Sequence, residues 1–277
     1  YIIGMGAAMR GGLVPNVFSA DGHHAYNSVD ASLWYVWAVQ MLLQADPRRM
    51  DFVKEHCWPA IREILSAYAG GRVPFVHADE EGFLDVGNEH TQLTWMDAVV
   101  NGRPVTPRHG QPVEISALWY NALAFADHLA RRFDEPHWQD SVAQRDRMRA
   151  VFVHRHWITD YRGDYLADVW RDGERDFRVR PNQLFAVSLP FPILEEDNFA
   201  PVVSRVRQCL LTSCGLRTLA PSASEYCSLY EGGPEARDKA YHQGTVWPWL
   251  LGAYGDALLR AAWDEEGAAR DLLHTLI

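Results

Sequence analysis

A carboxyl group set between large apolar side chains is the first pattern in the sequence that could do chemistry. Thr94-Trp95-Met96-Asp97 puts one acid directly beside a thioether and close to an indole ring. Apolar surroundings disfavour the charged form of a carboxyl group and raise its pKa. A general acid that cleaves a glycosidic bond must hold its proton in this way, which makes Asp97 a candidate catalytic acid. The same pattern also fits an ordinary turn residue beside a buried tryptophan.

A second cluster lies further along the chain, between residues 230 and 249. It joins polar side chains, chiefly Glu231, His242 and Gln243, to several large rings, of which Trp247 is one. Sugar-binding sites combine these features, because polar groups take the hydroxyls and rings pack on the apolar faces of the sugar. The simpler alternative is a helix capped by Thr245 with tryptophans in the core, and a lone histidine is most often structural.

Further polar candidates stand where helices are predicted to begin. Asp30 opens one helix, Glu114 another, and Arg180-Pro181-Asn182-Gln183 leads into a short third helix. The alternative for each is local, since an acid in the first turn suits the helix dipole and Asn182 can serve as a cap. If all the candidates belong to one site, they must converge on one pocket although they are spread over residues 30–247.

The overall composition excludes several classes of partner. The chain has 277 residues, 48% of them hydrophobic and 22% charged, with a net charge of −10. An acidic balance without a basic run argues against nucleic-acid binding, which needs clustered Lys and Arg. No apolar stretch approaches the ~18 residues of a membrane span, and no signal peptide is recognisable, so we expect a cytoplasmic protein that does not bind membranes.

Nothing in the sequence indicates a cofactor or a metal ion. Nucleotide-binding glycine loops, a GxSxG elbow and an HExxH motif are all absent. The cysteines form no CxxC pair and have no histidine at zinc spacing. They are Cys57, Cys209, Cys214 and Cys227. We expect reduced thiols, with a disulfide among the last three as the alternative.

Apolar spacing predicts a mostly helical chain. In residues 26–44, Leu33, Trp34, Trp37 and Met41 recur on one helical face. The other predicted helices cover 52–68, 113–133, 136–157, 182–189, 199–211, 245–263 and 265–277. Pro59 is expected to kink the second of the eight.

Strand signals are few, and they consist of a hairpin of 73–76 with 82–86 and one strand over 165–170. Segments 85–112 and 211–243 are predicted to be long loops, and loops of this length are often functional. No linker is visible, so residues 1–277 are predicted to form a single domain.

Four segments resemble the glycogen-debranching amylo-α-1,6-glucosidases, in the order that this family has. They are 12–35 (GLVPNVFSADGHHAYNSVDASLWY), 93–123 (LTWMDAVVNGRPVTPRHGQPVEISALWYNAL), 180–190 (RPNQLFAVSLP) and 215–252, which ends in YHQGTVWPWLLG. The resemblance implies an all-α fold, an (α/α)6 barrel with long loops around an active site at its mouth. It also implies an inverting glycoside hydrolase that releases glucose from α-1,6 branch points of glycogen or limit dextrin, with Asp97 as general acid.

Together with the chemistry of each side chain, the resemblance predicts a set of substrate-binding residues: Asp30, Trp95, Glu114, Arg180, Asn182, Gln183, Glu231, His242, Gln243 and Trp247. It further implies a barrel that is incomplete at both ends. The family's Trp-Gly-Arg-Asp-Thr segment, which holds the terminal sugar, would precede Tyr1, and its general base, a glutamate, would follow Ile277. On that basis we expect little or no turnover from the 277 residues alone, unless Glu231 or Glu114 serves as the base.

Two alternative functions stay open at this point. Another helical-barrel glucosidase, of the glucoamylase or trehalase type, would share the fold, although the RPNQ and HQGTVWPW segments favour debranching. A non-catalytic carbohydrate-binding fragment would lack a second carboxyl group facing Asp97. An inverting hydrolase needs two such groups, ~6.5–9.5 Å apart, to leave room for a water molecule.

Overall fold

Helices form most of the regular secondary structure in the computed structural model, which describes residues 1–135, 139–262 and 267. The helices are α1 (Ile2–Ala7), α2 (Asp30–Ala45), α3 (Met50–His56), α4 (Trp58–Ala69), α5 (Val113–Phe133), α6 (Gln139–His156), α7 (Phe185–Ser188), α8 (Phe199–Leu210), α9 (Pro234–Tyr241) and α10 (Leu250–Ala261). Short 3-10 helices cover Pro47–Arg49, Pro181–Leu184 and Glu196–Asn198.

The strands are all short. They are β1 (Val76–Ala78), β2 (Leu84–Val86), β3 (Val99–Val100), β4 (Arg103–Pro104), β5 (Gln111–Pro112), β6 (Trp157–Asp160), β7 (Gly163–Leu166), β8 (Val169–Arg171), β9 (Glu174–Arg175), β10 (Leu211–Thr212), β11 (Gly215–Arg217) and β12 (Val246–Trp247). Each pairs with its neighbours in an antiparallel sense.

The mostly helical prediction is confirmed, and several helix limits agree closely. Helix α5 has the predicted limits, α8 ends one residue early, and α2 begins at Asp30 rather than at residue 26. The helix predicted over 52–68 is instead two helices, α3 and α4, which meet at Cys57. Pro59 lies in the first turn of α4. A proline is tolerated there because that turn has no partner for its N–H, so the chain starts a new helix instead of kinking one.

Other sequence predictions need correction. Helix α10 begins at Leu250 instead of residue 245, because Val246 and Trp247 pair with β11 as a strand. The single strand predicted over 165–170 is divided between β7 and β8, and the helix predicted over 182–189 begins as a 3-10 turn. The apolar pattern gives no signal for α1 or α9. The helix predicted over 265–277, except residue 267, and residues 136–138 lie outside the described residues.

The two segments predicted as long loops are mostly irregular, but each contains short strands, and the second also contains α9. The predicted hairpin is present as β1–β2, with its first strand at Val76–Ala78 instead of 73–76; β3 pairs with β4, and β10, β11 and β12 form one sheet. The sheet β5–β8–β9 bears most directly on the site, because β5 runs straight into α5. The backbone N–H of Val113 donates to the carbonyl oxygen of Asp168 at 3.0 Å. Strand pairing thereby fixes Asp168 at the N-terminus of α5.

Helix α5 is the centre of the hydrophobic core. Eighteen of its 21 residues are buried, as expected for a helix that packs on every side, and it contacts α2, α4, α6 and α7. The Nδ2 group of Asn121 donates to Oε1 of Gln40 in α2 at 2.8 Å, and its Oδ1 accepts from the backbone N–H of Phe191 at 3.1 Å. Asn121 therefore joins three segments inside the core.

The described helices and open sheets fit a mostly helical fold, while closure into an (α/α)6 barrel stays a prediction. Within the ranges described above, no helix combines the length and the apolar character that crossing a lipid bilayer requires.

We expect Asn121→Ala to lower the free energy of unfolding by about 2–4 kcal/mol, because the change leaves the buried amide of Gln40 and the half-buried N–H of Phe191 without a partner. Urea unfolding at pH 7 measures this. Gln208→Ala is the matched control, since Gln208 is an exposed amide that bonds only to Ser204 in its own helix; its effect should be within ~0.5 kcal/mol. Equal effects of the two substitutions would contradict the role given to Asn121.

Candidate active site

A buried ionic cluster lies at the start of α5. The guanidinium group of Arg108 donates to Asp168 through Nε at 2.6 Å and to Glu114 through Nη2 at 2.6 Å, and a second, shorter bond joins Nη1 to Glu114. All three side chains are almost completely buried. The planar fork of arginine matches two carboxylates at once, which is the strongest form of charge-assisted hydrogen bonding.

A second guanidinium group, that of Arg180, extends this cluster toward the C-terminal loops. Its Nε lies 3.5 Å from Oδ2 of Asp168. Its Nη1 donates to the carbonyl of His242 at 2.7 Å, and its Nη2 donates to Oε1 of Gln243 at 2.9 Å. Gln243 in turn donates to the carbonyl of Val105 at 3.2 Å. Arg180 therefore connects segment 242–243 with the loop that precedes α5.

The positive charges of Arg108 and Arg180 stabilise the ionised form of Asp168. Burial alone would raise the pKa of Asp168, but the charge of Arg108, followed by that of Arg180, outweighs it and holds the pKa below its ordinary value. Burial also lowers the pKa of Arg180, to about 10, which leaves the group charged at neutral pH. Asp168 is therefore an ionised carboxylate shared by two cations.

Trp95 is held in place by the same cluster. Its indole N–H donates to Oδ1 of Asn182 at 2.8 Å, and Nδ2 of Asn182 donates to Oδ1 of Asp168, also at 2.8 Å. The sulfur of Met96 lies 3.7 Å from Nδ2 of Asn182 and 3.8 Å from Nη1 of Arg180. Trp95 is therefore held by Asn182, and Met96 contacts both Asn182 and Arg180.

Asp97 follows this anchored pair and reaches the surface. Its residue is exposed whereas Met96 is buried. Partial desolvation nevertheless raises the pKa of the Asp97 carboxyl. The charge of Asp97 also contributes, after burial and Tyr230, to raising the pKa of Tyr241, which places α9 close to this carboxyl group. Asp97 is therefore an accessible acid whose protonated form is favoured.

Aromatic rings surround Trp95 in edge-to-face contacts. The ring centroids of His242, Trp249 and Trp247 lie 5.3, 5.1 and 6.4 Å from that of Trp95. Trp95 and Trp249 also line an apolar groove of about 560 Å³, together with Trp34, Trp37 and Phe185. Burial lowers the pKa of His242 to about 3, so its imidazole is neutral at physiological pH. The arrangement offers flat apolar faces beside one neutral polar ring.

The turn after Gln243 depends on a glycine. Gly244 has a φ angle of 144°, and a Cβ atom there would lie 2.2 Å from the carbonyl oxygen of Cys227. Its N–H donates to the hydroxyl of Thr218 at 2.9 Å. The close approach of these backbones lets His242 and Gln243 face the Trp95 segment.

Two of the remaining candidates, Glu114 and Gln183, are buried and hydrogen-bonded inside the protein. Both oxygens of Glu114 bind Arg108, so this carboxylate has no open face. Gln183 is also internal, because its Oε1 accepts from the backbone of Leu166 and its Nε2 donates to the carbonyl of Arg180. These buried groups can orient other side chains but do not face solvent.

Asp30 and Glu231 represent the two extremes of exposure. Asp30 is buried beside the hydroxyl of Ser28, and burial raises its pKa to about 6. The charge of Glu114 contributes to this shift, so Asp30 lies near the ionic cluster. Glu231 is exposed in the turn before α9, and the ring of the adjacent Tyr230 lies 5.7 Å from that of Tyr241.

Sequence reasoning missed Arg108, Asp168 and Tyr241 as site residues. Arg108 stands between Pro107 and His109 with no motif of its own, and Asp168 interrupts the apolar run read as a strand over 165–170. An acid inside such a run is a signal, because a buried carboxylate needs a cation. Among the described residues, no three His, Cys, Asp or Glu side chains are grouped so that they could hold a metal ion.

We expect Asp168→Asn to lower the free energy of unfolding by about 3–5 kcal/mol at pH 7, since it leaves two buried cations short of a charge. The folded-state pKa of Asp168 is lowered, so its contribution is complete above the unfolded-state pKa of ~3.9. It decreases as the pH falls below that value toward the folded-state pKa. The difference between wild type and variant should therefore narrow in acid.

Urea unfolding at several pH values measures both effects. Asp172→Asn, an exposed acid in the turn between β8 and β9, is the control and should change stability by less than ~0.5 kcal/mol. A small, pH-independent effect of Asp168→Asn would show that the cluster is not an ionic one.

Comparison with known proteins agrees with the resemblance seen in the sequence. The family model described as amylo-alpha-1,6-glucosidase matches residues 1–276. The glycogen debranching enzyme of Saccharomyces cerevisiae is 24% identical in an alignment that covers 92% of this chain. The chain spans 22% of the length of that relative. Because the family model covers nearly every residue, the chain belongs to the amylo-α-1,6-glucosidase family.

Proposed function

We propose that this chain carries the acid half of a glucosidase site that releases glucose from α-1,6 branch points of glycogen or limit dextrin. The observation that carries the proposal is the placement of Asp97. It is an exposed carboxyl group with a raised pKa, next to a tryptophan fixed by buried hydrogen bonds. Membership of the family and the similarity to the yeast glycogen debranching enzyme support the substrate class.

In the proposed reaction Asp97 donates its proton to the glycosidic oxygen as the bond from that oxygen to C1 of the glucose breaks. Water attacks C1 from the opposite face, which inverts the configuration, and a second carboxylate takes a proton from that water. Glu114 is unsuited to the role of base because both its oxygens bind Arg108. We propose that Glu114 positions Arg108 instead, and that Glu231, which is exposed, contacts substrate hydroxyls.

The rings supply the sugar-binding surface in this proposal. Trp95 and Trp247 present apolar faces to the glucose ring, and Arg180, Asn182, Gln183 and Gln243 hold the loops behind them. Among the described residues, Nδ1 of His242 is a buried ring nitrogen without a hydrogen-bond partner. A buried polar atom left unpaired is unfavourable, so a sugar hydroxyl is a natural partner for it.

We further propose that the described helices belong to an (α/α)6 barrel, with segments 85–112 and 211–243 at its mouth. Helix α5 is buried on nearly all sides, as an inner helix of two concentric layers would be. Asp97, in the first segment, and Tyr241, in the second, lie within electrostatic reach of each other, as this arrangement requires. Asp30 would then belong to the inner wall below the ionic cluster.

We expect Asp97→Asn to lower kcat for glucose release from a branched limit dextrin by about 10²–10⁴-fold, the usual contribution of general acid catalysis. The assay uses the polypeptide that carries this chain, with maltose and trehalose as comparison substrates. Binding of the dextrin should be retained, because asparagine has nearly the same shape. Glu235→Gln, an exposed acid on α9 paired with Lys239, is the control and should leave kcat unchanged.

The pH dependence of kcat is a second test of the same variant. A general acid works only when protonated, so the wild-type kcat should fall as the pH rises through the raised pKa of Asp97. The alkaline limb should be absent from whatever activity Asp97→Asn retains. Full turnover by the variant, or an unchanged alkaline limb, would remove Asp97 from the role of acid.

A further inference from the structure

A second cavity lies next to the chain segments that carry Arg108 and Arg180. It has a volume of about 690 Å³, within the ~300–1,000 Å³ typical of small-molecule sites. It shares no lining residue with the tryptophan groove. Pro107 and Val179, which line it, are the chain neighbours of Arg108 and Arg180, whose guanidinium groups turn inward to Asp168. The cavity is therefore distinct from the groove and adjoins the chain segments that form the cluster.

The floor of this cavity is polar and rigid. Arg205 is 3% exposed and lies over the ring of Tyr165, with its guanidinium carbon 4.5 Å from the ring centroid. Its Nη1 donates to Oδ2 of Asp160 at 3.2 Å, and its Nη2 donates to the carbonyl of Gly163 at 2.7 Å. A buried guanidinium group with this many partners keeps one orientation. It presents fixed donors beside fixed acceptors.

A second set of ion pairs also lines the cavity. Nη2 of Arg178 lies 2.7 Å from Oδ2 of Asp176, and its Nη1 lies 3.2 Å from Oε1 of Glu225. Five arginine and four carboxylate side chains line the cavity in all, so their charges nearly cancel. A nearly neutral array of donors and acceptors is better suited to hydroxyl groups than to an anion or a cation.

Two exposed aromatic rings complete the rim. Tyr161, in the turn between β6 and β7, is 87% exposed, and Phe177 is 65% exposed. The guanidinium carbon of Arg162 lies 5.1 Å from the centroid of the Tyr161 ring and steadies it. The hydroxyl of Tyr165 donates to the carbonyl of Phe177 at 3.0 Å, which fixes the backbone of the second ring. Exposed apolar rings beside a polar cavity mark a binding surface.

We propose that this cavity is a second carbohydrate-binding site, which takes a linear run of α-1,4-linked glucose residues without cleaving it. Sugar hydroxyls would bond to the Arg205–Asp160 and Arg178–Glu225 pairs, while Tyr161 and Phe177 pack on the apolar faces of the pyranose rings. The ligand class rests on the proposed function. A branched glucan presents many chains, so holding one chain here raises the local concentration of branch points at Asp97.

The test measures maltoheptaose binding by titration calorimetry in a Trp95→Ala background, which weakens any binding at the groove. Adding Tyr161→Ala and Phe177→Ala should weaken the remaining affinity by about tenfold or more, since each ring loses a stacking partner. Phe18→Ala is the control: it removes another exposed ring, which does not line the cavity, and it should not change the affinity. Glu225→Gln should weaken binding as well, through loss of a charged acceptor.

Several outcomes would overturn the proposal. It fails if the Trp95→Ala protein does not bind maltoheptaose at millimolar concentration, or if the double aromatic variant binds as tightly as its parent. Competition by inorganic phosphate would show an anion site instead. Circular dichroism confirms that each variant is folded. The experiment measures binding, so its result does not depend on the role of Asp97. If Asp97→Asn kept full turnover while the rim variants lost binding, the proposed acid would be wrong and the second site would be supported.

Discussion

Two guanidinium groups share one buried carboxylate, Asp168, and the geometry of the site depends on that interaction. Removing an ion from water costs several kcal/mol, and a buried pair is stable only when its remaining hydrogen bonds are also satisfied. The bonds of Arg108 to Glu114, and of Arg180 to the 242–243 segment, satisfy most of the donors, while Nε of Arg180 has only its ionic contact with Asp168 at 3.5 Å. Four parts of the chain that are distant in sequence therefore have to adopt their positions together.

The consequence for function is a rigid support beneath a single exposed acid. Trp95 and Met96 contact the cluster directly or through Asn182, whereas Asp97 is the next residue and reaches solvent. Catalysis by proton donation is sensitive to position, since a displacement of about 1 Å can reduce the rate ~10²-fold. The buried ionic cluster thus holds the segment that carries the acid, and partial desolvation raises the pKa of Asp97 itself.

Contiguous features were predictable from the sequence, and pairings across the chain were not. The apolar repeat predicted α5 to the residue, and the Trp95–Asp97 motif is visible as a string. Arg108 and Asp168 are 60 positions apart, and only the pairing of β5 with β8 brings them together. Strands of two or three residues such as these leave no periodic pattern, so β5 lies in a segment that looks like a loop.

Local sequence patterns also gave wrong predictions where a tertiary contact determined the structure. Glu114 looks like a free acid at a helix start, but a cation that the sequence does not mark as buried occupies both its oxygens. Val246 and Trp247 look like the first turn of a helix, yet β11 takes them as a third strand. In both cases the missing information was the identity of the partner, Arg108 for Glu114 and β11 for Val246 and Trp247.

Hydrogen–deuterium exchange on Arg180→Lys tests the central claim most directly. Lysine keeps the charge but cannot bridge Asp168, His242 and Gln243 at once. The account predicts that the amides of Met96 and Gly244, which bond to Thr94 and Thr218, lose protection together by about tenfold or more. Arg178→Lys, on the neighbouring surface, should leave both unchanged. Loss of protection in one segment without the other would contradict a single cluster that holds both.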